Sequence, residues 1–469
     1  MIDNLKPYPA YTDSGLPWLG SVPSHWSLRR IKFLLREVDS RSESGKEQLL
    51  RVSQYTGVTE RKSVHGEGIA DSRADSLIGY KKVSINDLVI NIMLAWNGSL
   101  GISRFNGIAS PAYCVYRLKS EIFPWYMHEL LRLPAYKGRI KAASTGVVES
   151  RLRLYSDDLG SIEAILPPPD EQAAIVRFLN WSNSGIDKAI RAKKKTIALL
   201  NEQKQAIIHS AVTRGLDPSV PMKDSGIPWL GEIPAHWEAR AFARLSRVVR
   251  GSSPRPAGDK RFFNGRFMPW ITVGEVTKNQ EMYLKSTETF LTELGSKKST
   301  MFPSGTLILT NSGATLGVPK ILEVDGCAND GIVAFLGLSS LIHKPFAYLF
   351  LSTLTKRLRD EMRQGGTQPN LNTGIVRRLV CPLPPIAEQE YILIYVENKS
   401  APLNTAISRL EREIELLREY RTRLTADVVT GKLDVREAAA QLPEEAIQAE
   451  ALVYEDEESP EDIEVESED

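Results

Sequence analysis

The chain repeats itself, and the repeat limits what it can fold into. Asp13-Ser-Gly-Leu-Pro-Trp-Leu-Gly20 returns as Asp224-Ser-Gly-Ile-Pro-Trp-Leu-Gly231, and His25-Trp26 as His236-Trp237, both displaced by 211 residues. Further on, Leu166-Pro167-Pro168 and Glu171-Gln172 return as Leu383-Pro384-Pro385 and Glu388-Gln389, displaced by 217. Thr213 and Leu216-Asp217 return as Thr430 and Leu433-Asp434, again displaced by 217. A period this long means two copies of one structural plan. The constant second offset means that no insertion has entered either copy between the proline pair and the Leu-Asp pair. That stretch must be rigid and sensitive to length.

Its pattern is helical. Ile186, Ile190, Lys193, Ile197, Leu200, Lys204, Ile207 and Ala211 step by fours and threes, and Leu403, Ile407, Leu410, Ile414, Leu417, Arg421, Leu424 and Val428 occupy the same places in the second copy. A 3-4 spacing with charged flanks, held over nearly four heptads, is the pattern of helix-on-helix pairing. The prolines ahead of each copy mark where the helix has not yet begun. Lys204 and Arg421 share one seam position, where a cation must either reach out to water or meet a carboxylate.

Between the repeated blocks lie two longer segments, about Trp26 to Leu166 and Trp237 to Leu383, that match each other only in outline. Short apolar runs alternate with Gly, Asn, Ser and Pro turns. Leu88-Val89-Ile90 and Leu307-Ile308-Leu309 read as buried strands, each followed by a polar glycine loop, Trp96–Gly101 and Asn311–Gly317. The scaffold is closely duplicated and the globular parts have diverged.

The net charge of +1 hides an imbalance. From Pro443 to Asp469 there are 13 acidic residues and no Lys or Arg, so the body before them carries 59 basic against 45 acidic side chains, an excess of +14. Such a body suits a polyanionic partner, and the acidic run reads as a disordered tail. Cys114, Cys327 and Cys381 form no close pair or zinc spacing and read as buried small hydrophobes. No stretch approaches the roughly 20 apolar residues of a membrane span, and Met1–Lys6 has no signal core, so a cytoplasmic protein is expected. No phosphate-binding Gly-x4-Gly-Lys-Ser/Thr loop and no amino-methyltransferase motif occurs. Glu202-Gln203-Lys204 lies on a helix rather than beside a metal, and the repeated His25 and His236 read as packing residues beside tryptophans.

The order of these blocks, given twice, resembles the specificity subunits of Type I restriction-modification enzymes, over Tyr11 to Arg436. The resemblance is carried by Asp13–Gly20 with Pro23–Trp26, Asp224–Gly231 with Pro234–Trp237, the strand and loop Leu307–Gly317, the Gly366-Thr-Gln-Pro-Asn-Leu371 block, and the Leu-Pro-Pro…Glu-Gln openings of the helices. The first half has Ser144–Arg151 where the second has the Gly366 block. The resemblance implies an α+β chain of two mixed α/β target-recognition domains separated by two long antiparallel coiled-coil helices, in a pseudo-two-fold repeat. The boundaries are then 1–169 for the lead-in and first recognition domain, 170–217 for the central helix, 218–386 for the second lead-in and recognition domain, 387–436 for the last helix, and 437–469 for the tail. It also implies a non-catalytic subunit that reads a bipartite, interrupted sequence in double-stranded DNA. Such a subunit scaffolds two methyltransferase subunits and the motor-nuclease restriction subunits. No cofactor is expected on this chain; S-adenosylmethionine, ATP and Mg belong to those partners. Two rivals remain: a fragment of a fused single-chain restriction-modification enzyme, and a scaffold that no longer reads DNA.

Reading DNA needs side chains for base edges and others for phosphates. In the first half the candidates are Arg51, Ser53, Tyr55 and Lys62, then Trp96, Asn97, Ser99 and Arg104. In the second they are Arg250, Ser252, Arg255 and Arg261, then Thr272 and Lys278 (matching Ser53 and Thr59 in outline), then Asn311, Thr315 and Lys320. The 27 residues from Ile186 to Val212 span about 40 Å as a helix, close to one turn of DNA. Repeat symmetry further places Asp434 near Asp13, as Asp217 is near Asp224.

Overall fold

A computed structural model of the chain describes residues 5–61, 76–148, 151–313, 315–362 and 370–443. Lys62, the Gly366–Pro369 part of the second-half block and the acidic run beyond Pro443 lie outside them. The chain forms two compact units, residues 1–193 with 412–469, and residues 194–411. Each unit takes one globular part and half of each long helix. Sequence boundaries fall at helix ends, whereas the packing divides both helices near their middles. The reason is antiparallel pairing, which sets the start of one helix beside the end of the other.

The first long helix runs Pro169–Arg214, 46 residues, and the second Ile386–Val429, 44 residues. Pro169 sits at the first helical position, where its missing N–H is no loss, and Pro384-Pro385 stop just short of the second helix. Both helices begin well ahead of the apolar seam. Their first turns bury Ile175, Val176, Phe178 and Leu179, and Ile392 and Val396, against the globular cores instead. The seam spacing therefore does not appear there.

Along the seam itself Ile186, Ile190, Ile407, Ile414, Leu424 and Val428 are buried, and Ile197, Leu200, Ile207, Leu403, Leu410 and Leu417 are half-buried among mostly exposed neighbours. In the first unit Arg421 donates to Asp187 Oδ1 at 2.9 Å and Lys193 pairs with Glu413; in the second Lys204 donates to Asn404 Oδ1 at 2.8 Å. Those pairings run antiparallel in each unit. The two seam cations thus find different partners: Arg421 meets the expected carboxylate, and Lys204 meets an amide.

The first unit's sheet orders Leu35–Glu37, Tyr113–Leu118, Leu88–Asn91 and Leu100–Ile102. Leu88–Asn91 is buried on both faces, as its unbroken apolar run requires. The helices Pro124–Arg132 and Pro134–Ala143 pack with it around Tyr126, Leu130 and Tyr136. In the second unit the sheet orders Arg247–Arg250, Ile332–Leu336, Leu307–Thr310, Pro319–Leu322 and Tyr283–Leu284, and Leu307–Thr310 is likewise buried throughout. A four-stranded sheet built on Phe263–Ile271 lies in the same unit, and among the described residues the first unit has no strand of that length.

The repeated blocks make one clamp, used twice. Trp26 Nε1 donates to Glu171 Oε1 at 3.0 Å, His25 Nε2 lies 2.9 Å from Oε2, and the Tyr8 hydroxyl also donates to this carboxylate. Burial, and then the bond to Glu171, push the Tyr8 phenol up. In the second unit Trp237 Nε1 donates to Glu388 at 3.0 Å and His236 lies 2.8 Å away. The next residue binds the globular part. Gln172 donates to Pro167 O and accepts from Phe123 N, while Gln389 donates to Pro384 O and Leu341 O and accepts from His343 N. The histidines are packing residues, and the Glu-Gln pair fastens each helix start to both its lead-in and its recognition domain.

Candidate nucleic-acid interface

In the first unit the hairpin Leu50–Ser53/Gly57–Glu60 ends in a turn with Tyr55 exposed at its tip. A second hairpin, Leu88–Asn91/Leu100–Ile102, turns through Trp96 and Asn97 and closes at Gly98, whose φ is +101°. Arg132 holds the two tips together. Its guanidinium donates to Gly98 O and Leu100 O at 3.1 and 2.8 Å, and to Gln54 O and Tyr55 O at 2.9 and 2.6 Å. Lys137 lies against Gly98, and Lys141 sits 5.4 Å over the Trp96 ring. Burial, and then Arg132, push the Lys137 ammonium down. Arg104 lies over Trp125 at 4.0 Å. Tyr55, Trp96 and a row of cations thus share one edge of the unit. Arg132, Lys137 and Lys141 were not singled out from the sequence; the Lys/Arg-rich helix Pro134–Ala143 was an available signal for the two lysines, whereas Arg132 ends the preceding helix and had none.

Other candidates here are engaged within the hairpins themselves. Arg51 lies on a strand with its Nε on Thr59 Oγ1. Ser53 is buried and accepts from Tyr55 N. Ser99 is buried too, and Asn97 accepts from both its amide and its hydroxyl. Asn97 and Ser99 therefore build the turn, and Ser99 in particular has no route to a base.

In the second unit Asp330 organises the loop after Arg247–Arg250. Arg250 donates to its carbonyl, Ser253 to its carboxylate at 2.7 Å, and Arg255 lies 3.6 Å away yet stays 71% exposed. Ser252 shares a hydrogen bond with Thr300, and Ser299 donates to Ser252 O. That brings Lys298 alongside, over the Phe262 ring at 5.6 Å. Arg261 covers the same ring at 5.6 Å, is 72% exposed and is held by Asp259 at 2.6 Å. Arg261 and Lys298 therefore flank one ring, and Arg255, Lys260 and Arg266 are exposed on the same stretch of chain.

Three of the second unit's candidates are corrected. Lys320 is 1% exposed, with its ammonium on Asn279 and the Glu281 carbonyl, so it braces the sheet from inside. Asn311 is fully buried and donates to Leu371 O. Thr272 caps the helix Val273–Thr277 by accepting from Glu275 N, so the match of Thr272 and Lys278 with the Ser53–Thr59 hairpin fails. Lys278 pairs with Glu288 at the mouth of a cleft of about 470 Å³ walled by Phe263, Trp270 and Phe290. Thr315 remains exposed at its hairpin turn. Among the described residues no cluster of three or more metal-ligating side chains forms, and no helix is long and apolar enough to cross a membrane.

Two diverged mixed domains, each clamped to the start of a long helix and each with a basic edge, make a duplicated protein. Residues 236–416, less than half of the chain, match the family described as the Type I restriction modification DNA specificity domain. It is 28% identical over 166 residues to the Type I restriction enzyme MjaIX specificity subunit of Methanocaldococcus jannaschii, an alignment covering 35% of this chain and 38% of that one. The chain spans well under half the length of this curated relative. The fold is that of a solved chain from work on complex assembly and conformational transition of the type I R-M system, with TM-score 0.62 and 14% identity, covering 88% of this chain and 99% of that one. The crystal structure of the HsdS subunit from Thermoanaerobacter tengcongensis aligns at TM-score 0.42 and 14% identity, over 88% and 98% of the two chains.

Proposed function

We propose that this chain is the DNA-reading, non-catalytic specificity subunit of a Type I restriction-modification complex. Each unit reads one half of an interrupted sequence in double-stranded DNA. The chain also scaffolds two methyltransferase subunits and the motor-nuclease subunits, which carry S-adenosylmethionine, ATP and Mg. The observation that carries this reading is a basic edge in each unit: exposed Tyr55 and half-buried Trp96 at hairpin tips beside the helix-borne Lys141 in one, and the exposed Arg255, Arg261 and Arg266 in the other. Cations at such tips anchor phosphates and leave neighbouring side chains to address base edges.

The test is to coexpress the chain with a Type I methyltransferase subunit, copurify the two, and map methylation across the genome of the host expressing both. A two-part motif with an unread gap is expected. Replacing Tyr55 and Lys141 by Ala should relax one half-motif and leave the other intact. Methylation without sequence preference, or none beyond that of the partner alone, would favour a scaffold that no longer reads DNA.

A further inference from the structure

The strand Phe263–Ile271 does not lie flush with its neighbour. Phe263 and Met268 both pair with Leu291, so Asn264-Gly265-Arg266-Phe267 is looped out between them. The loop has little freedom. Asn264 sits at φ +59°, and a Cβ on Gly265 would lie 2.4 Å from Thr292 N and 2.5 Å from Leu291 O. A bulge so tightly seated re-aims the side chains it carries.

What it carries outward is Arg266 and Phe267. Phe267 is 56% exposed, and Arg266 has neither an ion pair nor a side-chain hydrogen bond among the described residues. A lone exposed apolar side chain is ordinary. Here, however, the backbone is built to present it, beside an unpaired arginine. Nearby in the chain, Arg261 pairs with Asp259 and Lys297 with Glu293, while Lys298 covers the Phe262 ring and Lys260 is exposed.

We propose that Arg266 and Phe267 are a base-reading pair of the second unit, with Arg266 on a guanine edge and Phe267 on the C5-methyl group of a neighbouring thymine. This rests on the DNA-reading function proposed above. The major groove admits a two-stranded β-ribbon, arginine pairs with the O6 and N7 of guanine, and the thymine methyl is the groove's one apolar feature. Arg266 and Phe267 are carried on the bulge and not paired into the ladder, and successive nucleotides along one strand of the duplex are about 3.4 Å apart, so two neighbouring side chains of the bulge can address neighbouring base pairs. The surrounding cations supply the phosphate contacts that hold the bulge in register.

The test uses the full chain and its mapped target, with thymines in the second unit's half-site replaced one at a time by deoxyuridine, which removes only the methyl group. Wild type should lose roughly five- to hundredfold in affinity at one position, the usual range for one mismatched pair. Phe267→Ala should lose a similar factor on the thymine duplex and nothing more on the deoxyuridine duplex, while Phe267→Leu should keep part of the preference. Arg266→Ala should relax an adjacent guanine. Since both side chains are exposed, the melting temperature should not move, and discrimination in the first unit's half-site should stay intact. The pair is overturned if no thymine in the half-site responds to deoxyuridine. It is equally overturned if Phe267→Ala weakens every sequence alike, or leaves DNA binding unchanged and weakens methyltransferase association instead. Wild type that binds no sequence selectively would remove the DNA-reading function itself, and the pair with it.

Discussion

His128 is buried between two glycine-lined strands, with its Nδ1 accepting from Ile102 N at 3.1 Å and its ring against Gly57 and Gly101. Burial, then the nearby Arg132 and Arg104, hold its pKa well below the usual histidine value. The unfolded chain therefore binds a proton first as the pH falls. The stability contributed by neutral His128 is present above pH 6.5 and is lost on acidification through the window below it, at up to about 1.4 kcal/mol per pH unit. Melting curves between pH 7.5 and 5 should show this loss, and His128→Asn, which keeps an acceptor and cannot titrate, should flatten it. An unchanged slope would assign the acid sensitivity elsewhere. On the surface, Arg255 and Arg261 test the phosphate contacts. Replacing both by Ala should weaken binding to all sequences and lower the slope of log affinity against log salt by about 2, roughly one for each phosphate left without its arginine. A wild-type slope would remove this loop from the interface. Sequence reasoning finds such cations because they cluster, but it cannot separate them from Lys320, a lysine turned inward by a strand whose partners, Asn279 and Glu281, lie about 40 residues away. Ser99 and Asn311 escape for the same reason: polarity marks a turn, and only the fold tells whether the turn uses its own side chains.

The long helices were legible as elements because their seam has one period and two copies and prolines mark their starts; the face they bury ahead of the seam was not, since a helix that leaves a globular core for a coiled coil changes the face it buries. The change is marked at the same repeat position in both, by Gly185 and by Pro402, each directly before the first seam residue and each a poor helix former. The polar contacts of the seam are repeat-related as well. Arg421 with Asp187 in one unit corresponds to Lys204 with Asn404 in the other, and burial pushes the Lys204 ammonium down. Half-buried charges of this kind fix register more than they stabilise. Changing Lys204 and Arg421 together to Leu should therefore leave the protein as stable or more stable, by about 1–3 kcal/mol, with looser register. Changing Asp187 alone to Ala should destabilise it by about 1–2 kcal/mol, reduced from the buried-pair value because both partners keep some water. Chemical denaturation reads both effects. A double variant less stable than wild type would mean that these pairs contribute net stability. The diverged domains were legible only as strands and turns, because nothing in a non-repeated segment reveals that Arg132 will tie residues 54–55 to 98–100.

At the scale of the whole chain, the repeat predicts where the ends must go, and the structure locates them to the residue. In the second unit the first long helix passes through Gly215 and Asp217 into Pro218 and the ribbon Met222–Asp224/Glu232–Pro234. By the lead-in offset Asp217 corresponds to Lys6, and by the helix offset it corresponds to Asp434. In the first unit those two residues meet: Asp434 N donates to Lys6 O at 2.8 Å, and Tyr11 donates to Gly431 O at 3.0 Å, next to the ribbon Tyr11–Asp13/Ser21–Pro23. Each joint is also turned by a glycine at φ near +76° packed against the lead-in tryptophan, Gly215 on Trp237 and Gly431 on Trp26. The same joint is therefore made twice, once through the chain and once by a hydrogen bond across its ends. Joining Asp434 directly to Pro7 recreates the Asp-Pro step of Asp217-Pro218, and opening the chain between Asp217 and Asp224 moves the ends to the other joint. The permuted protein should fold and keep both half-motifs in the same order, since chains tolerate permutation where their ends meet. It should also be weaker by about 2–3 kcal/mol, because residues from 435 on are dropped and Val435 and Ala439 no longer fill the first unit's core. Denaturation and methylation mapping of the permutant measure the two effects separately. A permutant that folds but reads a different sequence would mean that the two joints are not equivalent, and that the repeat in sequence is not a repeat in how the domains are held.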